Sequence, residues 1–323
     1  MIKIYLYAAL IAFALSVVFC WCLIPVLRKL KAGQNILVYV EEHKKKSGTP
    51  TMGGIAFITA SVLGAVIFIP YARPTLFRSS VLTIVIGLSY MLIGFLDDCL
   101  KKRHKDNLGL RAWQKFSFQT LVAVFCGIYC FRAELTKLYI PFFSLQMDIG
   151  WWIIPLVIFV FLATVNAVNL TDGLDGLAAG TSAPFFLTIG ALIVLQKGDG
   201  GVAVISFCLV GALLAYLLFN VSPAKVFMGD TGSLALGGFA ASIACFTGNA
   251  LYIAVIGVCF EISVISDIIQ VIYYKVTHGK RVFLMAPFHH HLQKKGYSES
   301  HISYAYFVIT LAIGLLCICA ALG

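Results

Sequence analysis

The sequence predicts an all-α integral membrane protein with ten transmembrane helices, and three observations carry that reading. The 323 residues are 60% hydrophobic and only 12% charged, far from the balance of a soluble domain. About ten apolar stretches are separated by short polar ones, most of them long enough for a helix to cross a bilayer. The stretches run continuously instead of alternating apolar and polar residues, which argues against outer-membrane strands.

In chain order the spans fall at roughly 4–26, 52–70, 79–96, 116–132, 150–168, 177–196, 202–219, 233–247, 250–272 and 303–322. Only Lys3 precedes the first apolar run, and no small-residue cleavage site with a soluble domain follows it. It reads as a retained helix rather than a removed signal peptide. The eighth span is short and rich in glycine, so its ends are the least defined. With no repeat, low-complexity segment or soluble insertion, residues 1–323 form a single polytopic domain.

The distribution of Lys and Arg sets the orientation. The loops at 27–51, 97–116, 169–176, 220–232 and 273–302 hold 18 of the 24 basic residues. These loops are expected on the cytoplasmic side, with both termini extracytoplasmic. The formal charge of +10 then concentrates on the inner face, where it suits anionic headgroups and phosphorylated substrates. No nucleic-acid partner is expected. Nine of the ten cysteines lie in apolar spans without paired CxxC motifs, and read as packing residues.

Polar chemistry gathers on that face as well. All seven histidines fall in the inner loops or at their edges, as do Asp97, Asp98, Asp172, Asp175, Asp230 and Asp267. The outer loops hold only Glu134, Asp148 and Asp199. Glu261 is the one acid near the middle of a span. It is expected to be neutral, paired, or in a wet cavity, in either a structural or a functional role.

Five stretches could carry chemistry. In "LIGFLDDCLKKRHK", Asp97 and Asp98 end the third apolar run and precede Lys101, Lys102 and Arg103. A helix C-terminus disfavours two carboxylates, so either the lysines or a divalent cation must compensate them. In "NAVNLTDGLDGLAAG", Asn169, Asp172 and Asp175 stand three residues apart and would share one face of a helix. Gly173 and Gly176 would let a ligand approach the backbone, and the helix opening after them would offer N–H groups to an anion. In "FNVSPAKVFMGDTGS", Asp230 sits between glycines and hydroxyls at the start of span eight, an arrangement suited to a magnesium diphosphate. It is neither a Walker A loop nor a Rossmann fingerprint. "KKKSGTPTMGG" could cap span two through Thr49 or Thr51, or form a phosphate-seeking loop. "APFHHHLQKKG" places three histidines in succession. Adjacent residues cannot all reach one metal, so a His₃ zinc site is not expected; one or two could contact phosphate or orient a neighbour.

Together, "TPTMGG", "DDCLK", "NAVNLTDGLDGLA", "FNVSPAKVFMGDTGS" and "APFHHHLQ" resemble the phospho-MurNAc-pentapeptide transferases, within the polyprenyl-phosphate N-acetylhexosamine-1-phosphate transferases. The motifs occur in the family's order across essentially the whole chain. The resemblance implies transfer of phospho-MurNAc-pentapeptide from its UDP carrier to undecaprenyl phosphate, giving lipid I and UMP with Mg2+ as cofactor. It also implies ten transmembrane helices with both termini outside, a place in the bacterial cytoplasmic membrane among membrane lipid, and a homodimer. Carried over residue by residue, it implies that Asp230 holds the metal, with Asp97, Asp98, Asp172 and His289 catalytic. Asn169, Gly173, Leu174, Asp175 and Phe227 would line the nucleoside pocket. Lys46, Thr51, Lys101, Lys115, Asn220 and His290 would contact phosphates or support the centre.

Two other readings compete. A sister transferase using UDP-GlcNAc is disfavoured by the triple-histidine loop. A secondary transporter would place binding acids near the midplane, between repeats, whereas here they collect at one boundary.

Overall fold

The computed structural model describes residues 2–30, 48–72, 77–103, 109–143 and 145–322. Every predicted span coincides with a helix or a bent helix pair. Helix α1 is Ile2–Lys29, α2 Gly54–Phe68, α3 Phe77–Arg103, α4 Ala112–Arg132, α5 Ile153–Thr171 and α6 Leu177–Leu195. Helix α7 is Gly200–Asn220, α8 Gly229–Phe246, α9 Ala250–Ile256, α10 Val258–Val276, α11 Phe288–Lys294 and α12 Glu299–Leu322. Among the described residues, seven helices are long and apolar enough to cross a membrane, or eight if α9 and α10 form one span. Helices α4 and α8 fall outside that set.

The packing order follows from side-chain size. On α1 the buried residues Tyr5, Ala8, Ala12, Ser16, Cys20, Ile24 and Leu27 form one stripe, whose small members allow close approach to α7. The Ser16 hydroxyl donates to the Ala212 carbonyl across that contact (2.9 Å). Helices α6, α7 and α8 are buried on nearly all sides, whereas α1 and α12 expose most of their surface. The large apolar residues outside, such as Leu10, Trp21, Leu121, Phe159 and Leu316, suit a hydrocarbon surround. A hairpin of β1 (Lys137–Tyr139) and β2 (Gln146–Asp148), paired Lys137 to Asp148, joins α4 to α5. Beside it, Trp151 and Trp152 stack at 4.2 Å, as expected of an interfacial belt.

The ninth span differs from expectation. Its two helices meet at a 78° bend at Gly257, where a Cβ would lie 2.6 Å from the Ile253 carbonyl oxygen. Glu261 consequently sits in the first turn of α10, just past the bend, rather than midway along a straight span. The ten cysteines are free thiols, most of them packed in the core.

Candidate active site

The antiparallel course of the helices brings the C-terminal ends of α3, α5, α7 and α10 to the same end of the bundle as the N-terminal ends of α2, α4, α6 and α8. The polar motifs meet there. Helix α3 runs on past the apolar segment to Arg103, so Asp97 and Asp98 lie inside its last turns, both buried. Being adjacent on a helix, they diverge. Asp97 accepts from Lys101 Nζ one turn on (2.7 Å) and from the Leu110 backbone N–H (2.7 Å). Asp98 turns to α8, where it accepts from Asp230 N–H (3.2 Å), Thr231 N–H (2.9 Å) and the Thr231 hydroxyl (2.6 Å). It thereby caps α8 from outside, where a carboxylate meets the positive end of the macrodipole. The two acids are tolerated side by side because one is paired with a lysine and the other with a helix N-terminus.

Asp230, in the first turn of α8, receives Lys101 Nζ (3.0 Å), Lys115 Nζ and Asn169 Nδ2 (3.0 Å). Lys115, from the first turn of α4, also lies 4.0 Å from Asp97 and 3.5 Å from Asn169 Oδ1. Asn169 adds a bond to the Ser233 hydroxyl (2.8 Å). Carboxylate oxygens of Asp97, Asp98 and Asp230 lie within 4.8 Å of one another. Three hard oxygen donors at that spacing could hold a divalent cation such as magnesium.

The "TPTMGG" segment is stitched to the "VFMGD" segment by backbone bonds. Phe227 N–H donates to the Pro50 carbonyl (2.8 Å), Gly53 N–H to Phe227 (2.8 Å) and Gly54 N–H to Met228 (3.1 Å). A Cβ on Gly53 would stand 2.9 Å from the Phe227 carbonyl oxygen, so only glycine permits this approach. Gly229, at φ +69°, faces both Thr51 Oγ1 and Asp98. Thr51 is buried with its hydroxyl unpartnered, beside the acidic cluster. Lys46 lies outside the described residues.

The "NLTDGLDG" stretch departs from the single helical face expected of it. Helix α5 stops at Thr171, Asp172 is its C-cap, and α6 begins only at Leu177. Asn169 alone of the three polar residues is helical; Asp172 and Asp175 lie on the turn. The glycines that make ligand approach possible also end the helix. The N–H groups offered to an anion are partly engaged already: Asp175 N–H bonds Glu299 (3.0 Å) and Gly176 N–H bonds Asn220 Oδ1 (3.2 Å). Asp175 Oδ2 accepts from Ala224 N–H (3.0 Å), and Asn220 Nδ2 donates to the Val226 carbonyl (2.9 Å). Both residues thus hold the 221–228 loop against the turn. Leu174 packs with Leu177, Cys259, Ile302 and Tyr306, while Phe227 is half-buried. Burial, and then the charges of Asp230 and Asp98, hold the Asp172 carboxyl well above the usual range.

The three histidines on α11 separate as their adjacency requires. His289 and His290, with rings 4.4 Å apart, close on Gly173, whose Cβ would lie 2.5 and 3.0 Å from their Nε2 atoms. His289 is fully buried with both ring nitrogens unpartnered. Burial, with His290 adding, pushes its pKa down to about 3, so it is neutral near pH 7. His291 turns away, accepting from Leu284 N–H (3.1 Å) and stacking on Phe288.

Several contributors were invisible in the sequence. Leu110 and Thr231 act through backbone N–H groups, which every residue carries. Glu299, which bonds the Asp175 N–H, and Gly94, whose Cβ would fall on the Asp230 carbonyl, stand outside every motif that carries the resemblance described above.

This apolar bundle thus brings acids, lysines and an amide together at one end. The model of glycosyl transferase family 4 matches residues 80–248, and signature 1 of the phospho-N-acetylmuramoyl-pentapeptide-transferases matches residues 46–58. The chain is 45% identical over 312 residues to the phospho-N-acetylmuramoyl-pentapeptide-transferase of Clostridium botulinum (strain Eklund 17B / Type B), covering 96% of this chain and 94% of that one. It is 42% identical over 318 residues to that of Bacillus subtilis (strain 168), covering 97% of each. It is likewise 42% identical over 313 residues to that of Caldanaerobacter subterraneus, covering 96% of each. The chain belongs to the phospho-N-acetylmuramoyl-pentapeptide-transferase family and is a bacterial membrane protein.

Proposed function

We propose that the protein transfers phospho-MurNAc-pentapeptide from UDP-MurNAc-pentapeptide to undecaprenyl phosphate, giving lipid I and UMP. The observation that carries this is the convergence of Asp97, Asp98, Asp230, Lys101 and Lys115 at the polar end of an apolar bundle. A soluble nucleotide and a lipid phosphate can meet only at such a boundary. All ten predicted spans, including α4 and α8, cross the bacterial cytoplasmic membrane as one multi-pass domain. Both termini are extracytoplasmic and the site faces the cytoplasm. The 18 basic residues in the five loops at that end support this orientation. The protein works as a homodimer surrounded by membrane lipid.

Phosphoryl transfer depends on in-line positioning and neutralisation of charge. An oxygen of the lipid phosphate attacks the sugar-bound phosphorus, the bridging P–O bond breaks, and UMP leaves with that bond's electrons. Lys101 and Lys115 carry cationic side chains to the place where both phosphates must approach. Asp230, with Asp97 and Asp98 beside it, would hold Mg2+, which when bound neutralises the departing phosphate. Asp98 keeps α8 in place, because its carboxylate is engaged by three donors. A phosphate monoester has a second pKa of about 6 and is mostly dianionic near neutral pH, so little base catalysis is needed and direct attack is favoured over a phospho-enzyme. His289, neutral and unpartnered, supplies a ring N–H to a phosphate oxygen beside Gly173, with His290 next to it. Thr51, buried beside the acids, and Lys46, by the family resemblance, contact phosphates. Asn169, Gly173, Leu174, Asp175 and Phe227 line the nucleoside pocket, Asp172 completes the acidic centre, and Asn220 supports it.

The test is UMP release by the purified protein in detergent with undecaprenyl phosphate and magnesium. Release with UDP-MurNAc-pentapeptide but not UDP-GlcNAc, abolished by chelator, is expected. Release with UDP-GlcNAc would indicate the sister activity, and substrate movement without UMP release a transporter. His289→Ala is expected to lower turnover about 100-fold, as for loss of a positioned transition-state donor. His301→Ala, on an exposed turn of α12, should stay within about twofold of wild type. Equal rates in the two variants would remove His289 from the site.

A further inference from the structure

Glu299 opens α12, where an acid suits the positive end of a helix, yet both its oxygens are engaged elsewhere. Oε2 accepts from the Asp175 N–H on the turn after α5 (3.0 Å), and Oε1 from the Gln293 side-chain amide on α11 (3.3 Å). One turn along α12, the Ser303 hydroxyl donates to the Asp175 carbonyl (2.7 Å). The turn is therefore held at its N–H and its C=O, and does not depend on Glu299 alone.

Gln293 passes the contact on. Its Oε1 lies 3.2 Å from His290 Nδ1, three residues back on the same face of α11. A carboxylate only accepts, so Gln293 must turn its NH₂ toward Glu299 and its carbonyl oxygen toward His290. That oxygen only accepts as well. His290 Nδ1 must then carry a hydrogen, and in the neutral ring Nε2 is left with a lone pair. His291 is the opposite case, because its Nδ1 accepts from the Leu284 N–H (3.1 Å), which puts the hydrogen of a neutral ring on Nε2.

The direction matters because of where His290 points. Its Nε2 would stand 3.0 Å from a Cβ on Gly173, with His289 Nε2 at 2.5 Å from the same point. A lone pair there is matched by a hydroxyl or an amide N–H. It finds no partner in an unprotonated phosphate oxygen, which also only accepts.

We propose, resting on the transferase reading above, that Glu299 is a positioning residue for the reaction. Acting through Gln293, it fixes His290 with its hydrogen on Nδ1 and presents Nε2 as an acceptor to a hydroxyl or amide group of the donor substrate at Gly173.

Two variants reverse and restore this relay without leaving a polar group unpaired. In Glu299→Gln the new amide keeps the Asp175 N–H on its oxygen and offers NH₂ to Gln293, which must flip and donate to His290 Nδ1. The hydrogen moves to Nε2. In Gln293→Glu/Glu299→Gln the acid and the amide exchange places, the acid accepts from both neighbours, and the hydrogen returns to Nδ1.

The experiment records solid-state 15N spectra of the full-length, histidine-labelled protein in bilayers at pH ~8.5, where an imidazole of ordinary pKa, about 6.5, is neutral. The His290 signals are those lost in His290→Gln. Wild type is expected to carry the His290 hydrogen on Nδ1, Glu299→Gln on Nε2 and the double variant on Nδ1, with His291 unchanged throughout. UMP release should follow: kcat/KM for UDP-MurNAc-pentapeptide falls about tenfold in Glu299→Gln, as for one mismatched hydrogen bond, and returns to within about twofold of wild type in the double variant. Unfolding temperatures should stay together, since a purely structural role would not reverse a tautomer. A wild-type spectrum with no Nδ1–H histidine overturns the proposal even if neither variant folds. A tautomer unmoved by Glu299→Gln, a moved tautomer with unchanged kcat/KM, or an exchanged pair that restores neither also overturns it. The spectra need no turnover, so the expected tautomers in a protein that releases no UMP would be failure of the transferase reading alone.

Discussion

Asp230→Asn is expected to reduce UMP release by about 1,000-fold, which corresponds to about 4 kcal/mol of transition-state stabilisation. The substitution preserves the volume of the side chain and removes its charge. In the wild type this carboxylate receives Lys101, Lys115 and Asn169 together, and it has an oxygen within 4.8 Å of oxygens of Asp97 and Asp98. An amide keeps one acceptor oxygen and turns an NH₂ group toward two ammoniums, so the lysines lose their common counter-charge and a cation loses a ligand. Stability should change much less. Lys101 keeps Asp97 at 2.7 Å, and both lysine side chains retain water contact, at 28% and 19% exposure, so solvent screens what the mutation uncovers. Initial rates of UMP release and thermal unfolding in the same detergent separate the two effects. A near-normal rate in a folded Asp230→Asn protein would sink the placement of the catalytic centre.

The sequence made the acids conspicuous and concealed their arrangement. Asp97, Asp98 and Asp230 stood out because charge is costly beside long apolar runs, and the loop charges located them at one end. Nothing in "FLDDCLKK" reveals that Asp97 faces a lysine while Asp98 caps a different helix, since the groups it caps are backbone N–H groups 132 and 133 residues away. The three-residue spacing of Asn169, Asp172 and Asp175 suggested one helical face, yet tertiary contacts through Ala224, Glu299 and Asn220 hold the turn that breaks it. The bend at Gly257 was hidden for a related reason. Hydropathy measures how apolar a stretch is and not its direction, so α9 and α10 read as one straight span. The triple histidine was legible in outline, because three adjacent side chains cannot all share one target. Which two close on Gly173 depended on how α11 is tied to α10 through Ser266.

Gly94→Ala is expected to cost both stability and activity, although the residue touches no substrate. Gly94 lies on the face of α3 that crosses α8, one turn before Asp97 and Asp98, and those positions share a side of the helix. A Cβ there would fall on the carbonyl carbon and oxygen of Asp230 and stand 2.7 Å from Thr231 N. These are backbone atoms in the first turn of a buried helix, so no side chain can swing away, and the two helices must separate. Overpacking of this kind costs about 1–3 kcal/mol, expected as a lower unfolding temperature. The larger consequence is geometric. Asp98 to the Thr231 hydroxyl is 2.6 Å and to its N–H 2.9 Å, and about 1 Å of added separation would carry both beyond hydrogen-bonding range. The same movement would draw Lys101 from Asp230, and a displacement of about 1 Å at a catalytic centre can cost about 100-fold in rate. Gly180→Ala provides the contrast. It adds a methyl group to the interior of α6 where the nearest atom, the Ser303 carbonyl oxygen, is 3.9 Å away, so rate and unfolding temperature should stay near wild type. If Gly94→Ala matched Gly180→Ala in rate, the contact between α3 and α8 would not set the spacing of the acids, and the cluster would owe its catalytic geometry to the substrates rather than to the fold.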